Sequence, residues 1–72
     1  MHFTELINMI KTRRESLGVT QERLAEISDV GLRTVKQFER GKGNPTLITL
    51  QKLGDALGLE ITMKVKTKSV DK

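Results

Sequence analysis

Cysteine is absent from this 72-residue chain. No disulfide framework and no thiolate metal site is therefore possible, and the composition fits a reducing cytoplasm. The single histidine, His2, has no second His or Cys with which to complete a metal site and reads as a loose terminal residue, so no metal is expected. No apolar run approaches the roughly 20 residues of a membrane span. The opening MHFTELINMI has no basic n-region, so no signal peptide is expected. There is no Gly-rich phosphate loop: the GKGN stretch at 41–44 lacks the GxxxxGK[ST] spacing and reads as a turn. Carboxylates are scattered over exposed helix faces, where paired acid–base work has no pocket. Neither an enzyme nor a bound cofactor is expected.

What is present fits one small domain. A chain of this length buries roughly 60% of its unfolded surface, so its stability margin is thin and association with a second copy would help it. The net charge is +4, from 13 Lys and Arg against 9 Asp and Glu. A modest positive balance permits nucleic-acid binding without proving it. Its distribution says more. Residues 64–72 carry a net +3, and so does the window 30–43, where Arg33, Lys36, Arg40 and Lys42 face one acid, Glu39.

Periodicity divides the first part of the chain into four helices. Thr4 is a suitable N-cap for the first, which ends near Gly18, with Phe3, Leu6, Ile7, Ile10 and Leu17 at three- and four-residue spacing. Thr20 caps a second helix over 21–27, with Leu24 and Ile27 toward the core and Ala25 small enough for close approach. Ser28 and Asp29 break it, and Asp tolerates a left-handed backbone better than most residues. Gly31 caps a third helix over 32–40, ended by Gly41, with Val30 packing beside it. Asn44 and Pro45 turn the chain, and Thr46 caps a fourth helix over 47–57 with Leu47, Leu50, Leu53 and Leu57 inward. Gly54 weakens that helix by about 1 kcal/mol relative to Ala, which points to a close contact there. Gly58 stops it.

The third helix carries the most chemistry. At about 100° per residue, Leu32, Arg33, Lys36, Gln37 and Arg40 fall in an arc of roughly 140°, and Val35 and Phe38 lie opposite. A short helix following another across a tight break, with a polar arc on its outer side, is the layout of a helix-turn-helix, whose second helix enters the major groove of DNA. Arg33 can pair bidentately with guanine, Gln37 with adenine, Leu32 can touch a thymine methyl, and Lys36 can reach guanine or a phosphate. Gln21 starts the second helix, where free N–H groups and the helix dipole favour a phosphate. Thr34, Arg40 and Lys42 are further candidates for backbone contacts, which position without reading. The rival reading of the arc is an ordinary solvated face. Leu32 is either an exposed leucine or a methyl reader.

From Ile10 to Leu59 the chain resembles the Cro/C1-type (XRE) helix-turn-helix family. The residues that carry the likeness are Arg14, Gly18, Thr20, Gln21, Leu24, Ala25, Val30, Glu39, Gly41, Asn44, Pro45, Leu57, Gly58 and Leu59. The resemblance implies an all-α, lambda-repressor-like bundle of four to five helices over residues 1–58. It implies sequence-specific binding of double-stranded DNA, usually as a dimer, by a cytoplasmic, nucleoid-associated protein of a bacterium or phage. It implies that Gln21 holds the DNA backbone, that Leu32, Arg33 and Gln37 stand at base-reading positions, and that Arg14 and Glu39 form a buried or half-buried ion pair between the first and third helices. Two positions depart from the family pattern. Asp29 stands where glycine is usual, and Gly31 where serine or threonine is usual, which removes a hydroxyl from the cap of the reading helix.

After Gly58 the period changes to two. Leu59, Ile61, Met63 and Val65 alternate with Glu60, Thr62, Lys64 and Lys66, a strand signature over 59–66, followed by a basic tail at 67–72. A solvated tail is the alternative, and Lys64, Lys66 and Lys68 read as edge residues that discourage aggregation. A lone strand leaves its N–H and C=O groups unpaired, and the economical partner is the same strand of a second copy across a two-fold axis. Leu59, Ile61, Met63 and Val65 would then form the joint. Two reading helices would stand about 34 Å apart, one turn of DNA, on a pseudo-palindromic operator. A domain of this type with such a strand resembles HipB-like antitoxins, which implies a HipA-like kinase toxin as a possible partner. The alternatives are a stand-alone regulator of the same fold and a protein-interaction module that uses the arc for another protein.

Overall fold

A computed structural model describes residues 3–65. Four helices follow in order: α1 (Phe3–Ser16), α2 (Gln21–Ser28), α3 (Leu32–Glu39) and α4 (Leu47–Ala56). Met1, His2, Lys66 and the basic tail at 67–72 lie outside the described residues.

Local chemistry sets the helix limits. Thr20 is extended, and its hydroxyl accepts the Arg23 N–H at 3.0 Å, so α2 begins as the sequence predicts. Asp29 ends α2 in the left-handed region, at φ 59° and ψ 34°. A side chain without β-branching bears this conformation; a β-branched one crowds its own carbonyl. Asp29→Val should therefore cost about 1–2 kcal/mol, whereas Asp29→Gly should be neutral or slightly stabilising. Urea unfolding of the two variants measures the difference. Gly31 precedes α3 with φ −59° and supplies no side-chain cap, as its lack of a hydroxyl requires. Thr46 caps α4 by accepting the Thr49 N–H at 3.1 Å.

Four helix limits differ from the sequence reading. Helix α1 already includes Phe3 and Thr4, so Thr4 lies within it rather than capping it. Helix α2 runs one residue further, through Ser28, which is buried. Arg40 and Leu57 cap α3 and α4 rather than lying within them. These are shifts of one or two residues in terminal turns, where helix ends fray.

The core is Ile10, Leu24, Val30, Val35, Phe38, Leu53 and Leu57, with Ile7, Val19, Ala25, Leu50, Ala56 and Leu59 packed around it. Val35 and Phe38 face inward, as the arc of α3 requires. Several predicted core positions do not. Ile27 is 42% exposed and Leu47 68% exposed, and Phe3 and Leu17 also lie at the surface. Leu47 is the first residue of α4, in an exposed first turn; partial cover begins at Thr49 and Leu50, and full burial comes at Leu53.

The close contact predicted at Gly54 is present. Leu59 N–H donates to the Gly54 carbonyl at 2.7 Å, and a Cβ on Gly54 would come within 3.3 Å of the Leu59 carbonyl oxygen. The chain therefore folds back across the end of α4. Arg13 secures the same end from α1, its Nε donating to the Leu57 carbonyl at 2.9 Å. Beyond Leu59, residues 60–65 are exposed and form neither helix nor ladder within the single chain.

Candidate nucleic-acid interface

Helix α3 presents its predicted arc as one surface. Leu32, Arg33, Lys36, Gln37 and Arg40 together line a single shallow groove. Arg33, Lys36 and Arg40 are exposed, and Leu32 and Gln37 are half-buried at its floor. Thr34 and Lys42 line a neighbouring depression instead, with Asn44, Thr46 and Thr49 from the turn and the start of α4. Gln37 borders both, so the groove of the predicted base readers and the flank of the predicted backbone contacts are continuous. The contribution of Asn44, Thr46 and Thr49 was not foreseen. The signal was present, because a capping threonine after Asn-Pro marks a helix start beside the end of α3.

The sole acid of the 30–43 window is turned away from this surface. Glu39 is nearly enclosed, its side chain 3% exposed, and Arg14 of α1 grips it as a fork: Nε to Oε2 at 2.7 Å and Nη2 to Oε1 at 3.0 Å. This is the ion pair that the resemblance implies. Bidentate, charge-assisted pairs of this kind are the strong ones. The hydrogen bond to Glu39 pushes the Arg14 pKa upward, against the opposing effect of burial, so the guanidinium stays charged. With Glu39 neutralised inside, Arg33, Lys36, Arg40 and Lys42 project their charge outward, and among the described residues none of the four is in a salt bridge.

Gln21 is the first residue of α2 and half-buried. Its Nε2 donates to Glu39 Oε1 at 3.0 Å, a contact the sequence reading did not contain. Arg14 Nη1 also donates to the Val19 carbonyl at 2.7 Å, so α1 holds the chain immediately before α2. The break between α2 and α3, the cap at Thr20 and this clamp fix the angle at which α3 is presented.

Residues 10–63 match the Helix-turn-helix family. The chain belongs to that family, in its Cro/C1-type form. The family is a DNA-binding domain of transcriptional regulators. An uncharacterised HTH-type transcriptional regulator of Methanothermobacter thermautotrophicus is 40% identical over 52 residues, covering 72% of this chain and 75% of the relative. One from Sinorhizobium fredii is 42% identical over the same share of this chain and 66% of its own length. The cryptic phage CTXphi transcriptional repressor RstR of Vibrio cholerae is 33% identical over 52 residues, but this chain covers only 46% of it. Among the described residues, no helix is long and apolar enough to cross a membrane.

Proposed function

We propose that this chain is a sequence-specific transcriptional repressor that binds a pseudo-palindromic operator as a homodimer, α3 of each copy lying in a major groove. The observation that carries the reading is the α3 surface: one groove lined by Leu32, Arg33, Lys36, Gln37 and Arg40, with Glu39, the sole acid of the 30–43 window, withdrawn onto Arg14. Leu32, Arg33, Lys36 and Gln37 read base edges; Gln21, Thr34, Arg40 and Lys42 hold phosphates. An interaction module that docked a protein there would have no use for four unopposed cations beside a short polar arc, whereas a phosphate backbone does.

The two copies join through residues 59–66. Leu59 is half-buried on the body and anchors the segment, while Ile61 is 40% exposed and Met63 and Val65 are each 95% exposed. Apolar side chains at alternate positions with free backbone groups between them suit antiparallel pairing with a second copy. The similarity to a phage repressor supports repression as the outcome. An antitoxin role is the second reading, resting on the same exposed segment, and would add a HipA-like kinase as partner. A kinase-like product of the adjacent open reading frame that co-purifies with this chain supports it; an unrelated neighbour removes it.

Two variants test the division of roles. Arg33→Ala should cost about 1–3 kcal/mol on the preferred duplex and relax discrimination at one base pair. Lys42→Ala should weaken binding alike on every sequence and lower the salt slope by about one. Competition binding against single-base-pair variants of a duplex selected from a random pool separates the two. Equal losses from both variants on every duplex would refute the assignment.

A further inference from the structure

Among the described residues, the Gln21 carboxamide is the one proposed DNA contact whose side chain the protein itself grips. Its Nε2 lies 3.0 Å from Glu39 Oε1, and the same oxygen accepts from Arg14 Nη2 at 3.0 Å. An ionised carboxylate held by a guanidinium fork only accepts hydrogen bonds. The amide must therefore turn its NH2 group, not its oxygen, toward Glu39. One of the two Nε2 hydrogens is used there, and the second remains available at the first turn of α2. Thr20 satisfies the Arg23 N–H, while the N–H groups of Gln21 and Glu22 sit at the same open helix end.

We propose that Glu39 is a positioning residue for DNA binding: it fixes the Gln21 amide so that the remaining N–H of Nε2 is presented to a DNA phosphate. This deepens the proposed function and rests on it. Glu39 itself touches no DNA. It is enclosed, and its charge is cancelled by Arg14, so it aligns the donor without repelling the phosphate. The arrangement links three helices. Arg14 comes from α1, Gln21 from α2, and Glu39 closes α3 at its last residue. A shift of α3 relative to α2 would thus disturb base readers and phosphate donor together.

A double-mutant cycle reads the coupling. Gln21→Ala, Glu39→Gln and the pair are titrated with a duplex selected by the wild-type protein from a random pool. A hydrogen bond to a charged group implies that Gln21→Ala alone weakens binding by about tenfold. In the Glu39→Gln background the residue at 39 can offer either an oxygen or an NH2 group, the Gln21 amide is no longer fixed, and the same truncation should cost less than about twofold. Equal losses in both backgrounds overturn the inference and leave the repressor reading standing. Failure of the wild type to retain any duplex removes that reading, and the inference with it. Should Glu39→Gln fail to fold, judged by circular dichroism, NMR of the wild type decides. The Nε2 proton of Gln21 that faces Glu39 should exchange slowly with solvent in free protein, and the other should move on addition of the duplex. Two Nε2 protons that both exchange as fast as those of a solvated amide, or signals unmoved by the duplex, overturn it.

Discussion

Replacing Met63 and Val65 together by lysine is expected to turn the protein into monomers and to reduce operator affinity by about two to four orders of magnitude. Both side chains are 95% exposed, so the substitution leaves the body of each copy intact. On the proposed dimer it removes apolar surface that the partner would cover, and it would set like charges opposite one another across the two-fold joint. On that reading a single α3 would contact one half-site. Tethering two of them makes the second contact intramolecular, and that gain disappears when the copies separate. Light scattering gives the mass, and circular dichroism should show unchanged helix. A variant that stays dimeric would place the joint elsewhere. Leu59 is a poorer choice for this test, because it packs on the core and its N–H is bonded to Gly54.

The second large effect concerns stability. Leu24 is fully enclosed between the helices at 0% exposure, and Leu24→Ala should cost about 2–5 kcal/mol. A core of this size rarely supplies more than about 3–5 kcal/mol, so the variant should be largely unfolded at room temperature. Ile27→Ala, three residues along the same helix, should change stability by no more than about 0.5 kcal/mol, since Ile27 is already 42% exposed. Thermal and urea unfolding compare the two. Similar losses from both would mean that Ile27 is covered in solution, by a partner or by the tail.

That contrast marks how far the sequence could be read. Leu24 and Ile27 share a helical face, and periodicity assigns them alike. It fixes which residues point the same way and not how far the neighbouring helices extend to cover them. Leu47 is misplaced for the same reason, one turn ahead of the cover that Leu50 and Leu53 find. The motif itself was legible because its signals are local. Thr20 and Thr46 cap, Asp29 accepts a left-handed backbone, and the arc of α3 follows from residue spacing alone. Gly54 was legible as a close approach, though not what approaches it. Contacts between distant residues were harder. The Arg14–Glu39 pair came from family resemblance. The bonds from Arg13 to the Leu57 carbonyl and from Gln21 to Glu39 had no local signature, because each depends on how two elements lie against one another.

The Glu39 contacts also explain how a domain of modest net charge can present a strongly positive face. Sequence arithmetic sets Glu39 against Arg33, Lys36, Arg40 and Lys42. The fold withdraws it onto Arg14, a cation from another helix that is itself only 11% exposed. The charge offered to a ligand is therefore larger than the window sum suggests.

Salt dependence tests the central claim most directly. Affinity of the wild-type protein for a duplex selected from a random pool should fall linearly in log–log form as salt rises, with a slope of about −0.9 for each phosphate neutralised. With α3 in the groove and the Arg40 and Lys42 cations on the backbone of each half-site, as proposed, the slope should be clearly negative, and shallower for Lys42→Ala. A slope near zero, with binding otherwise intact, would contradict the reading of the α3 face as a DNA surface.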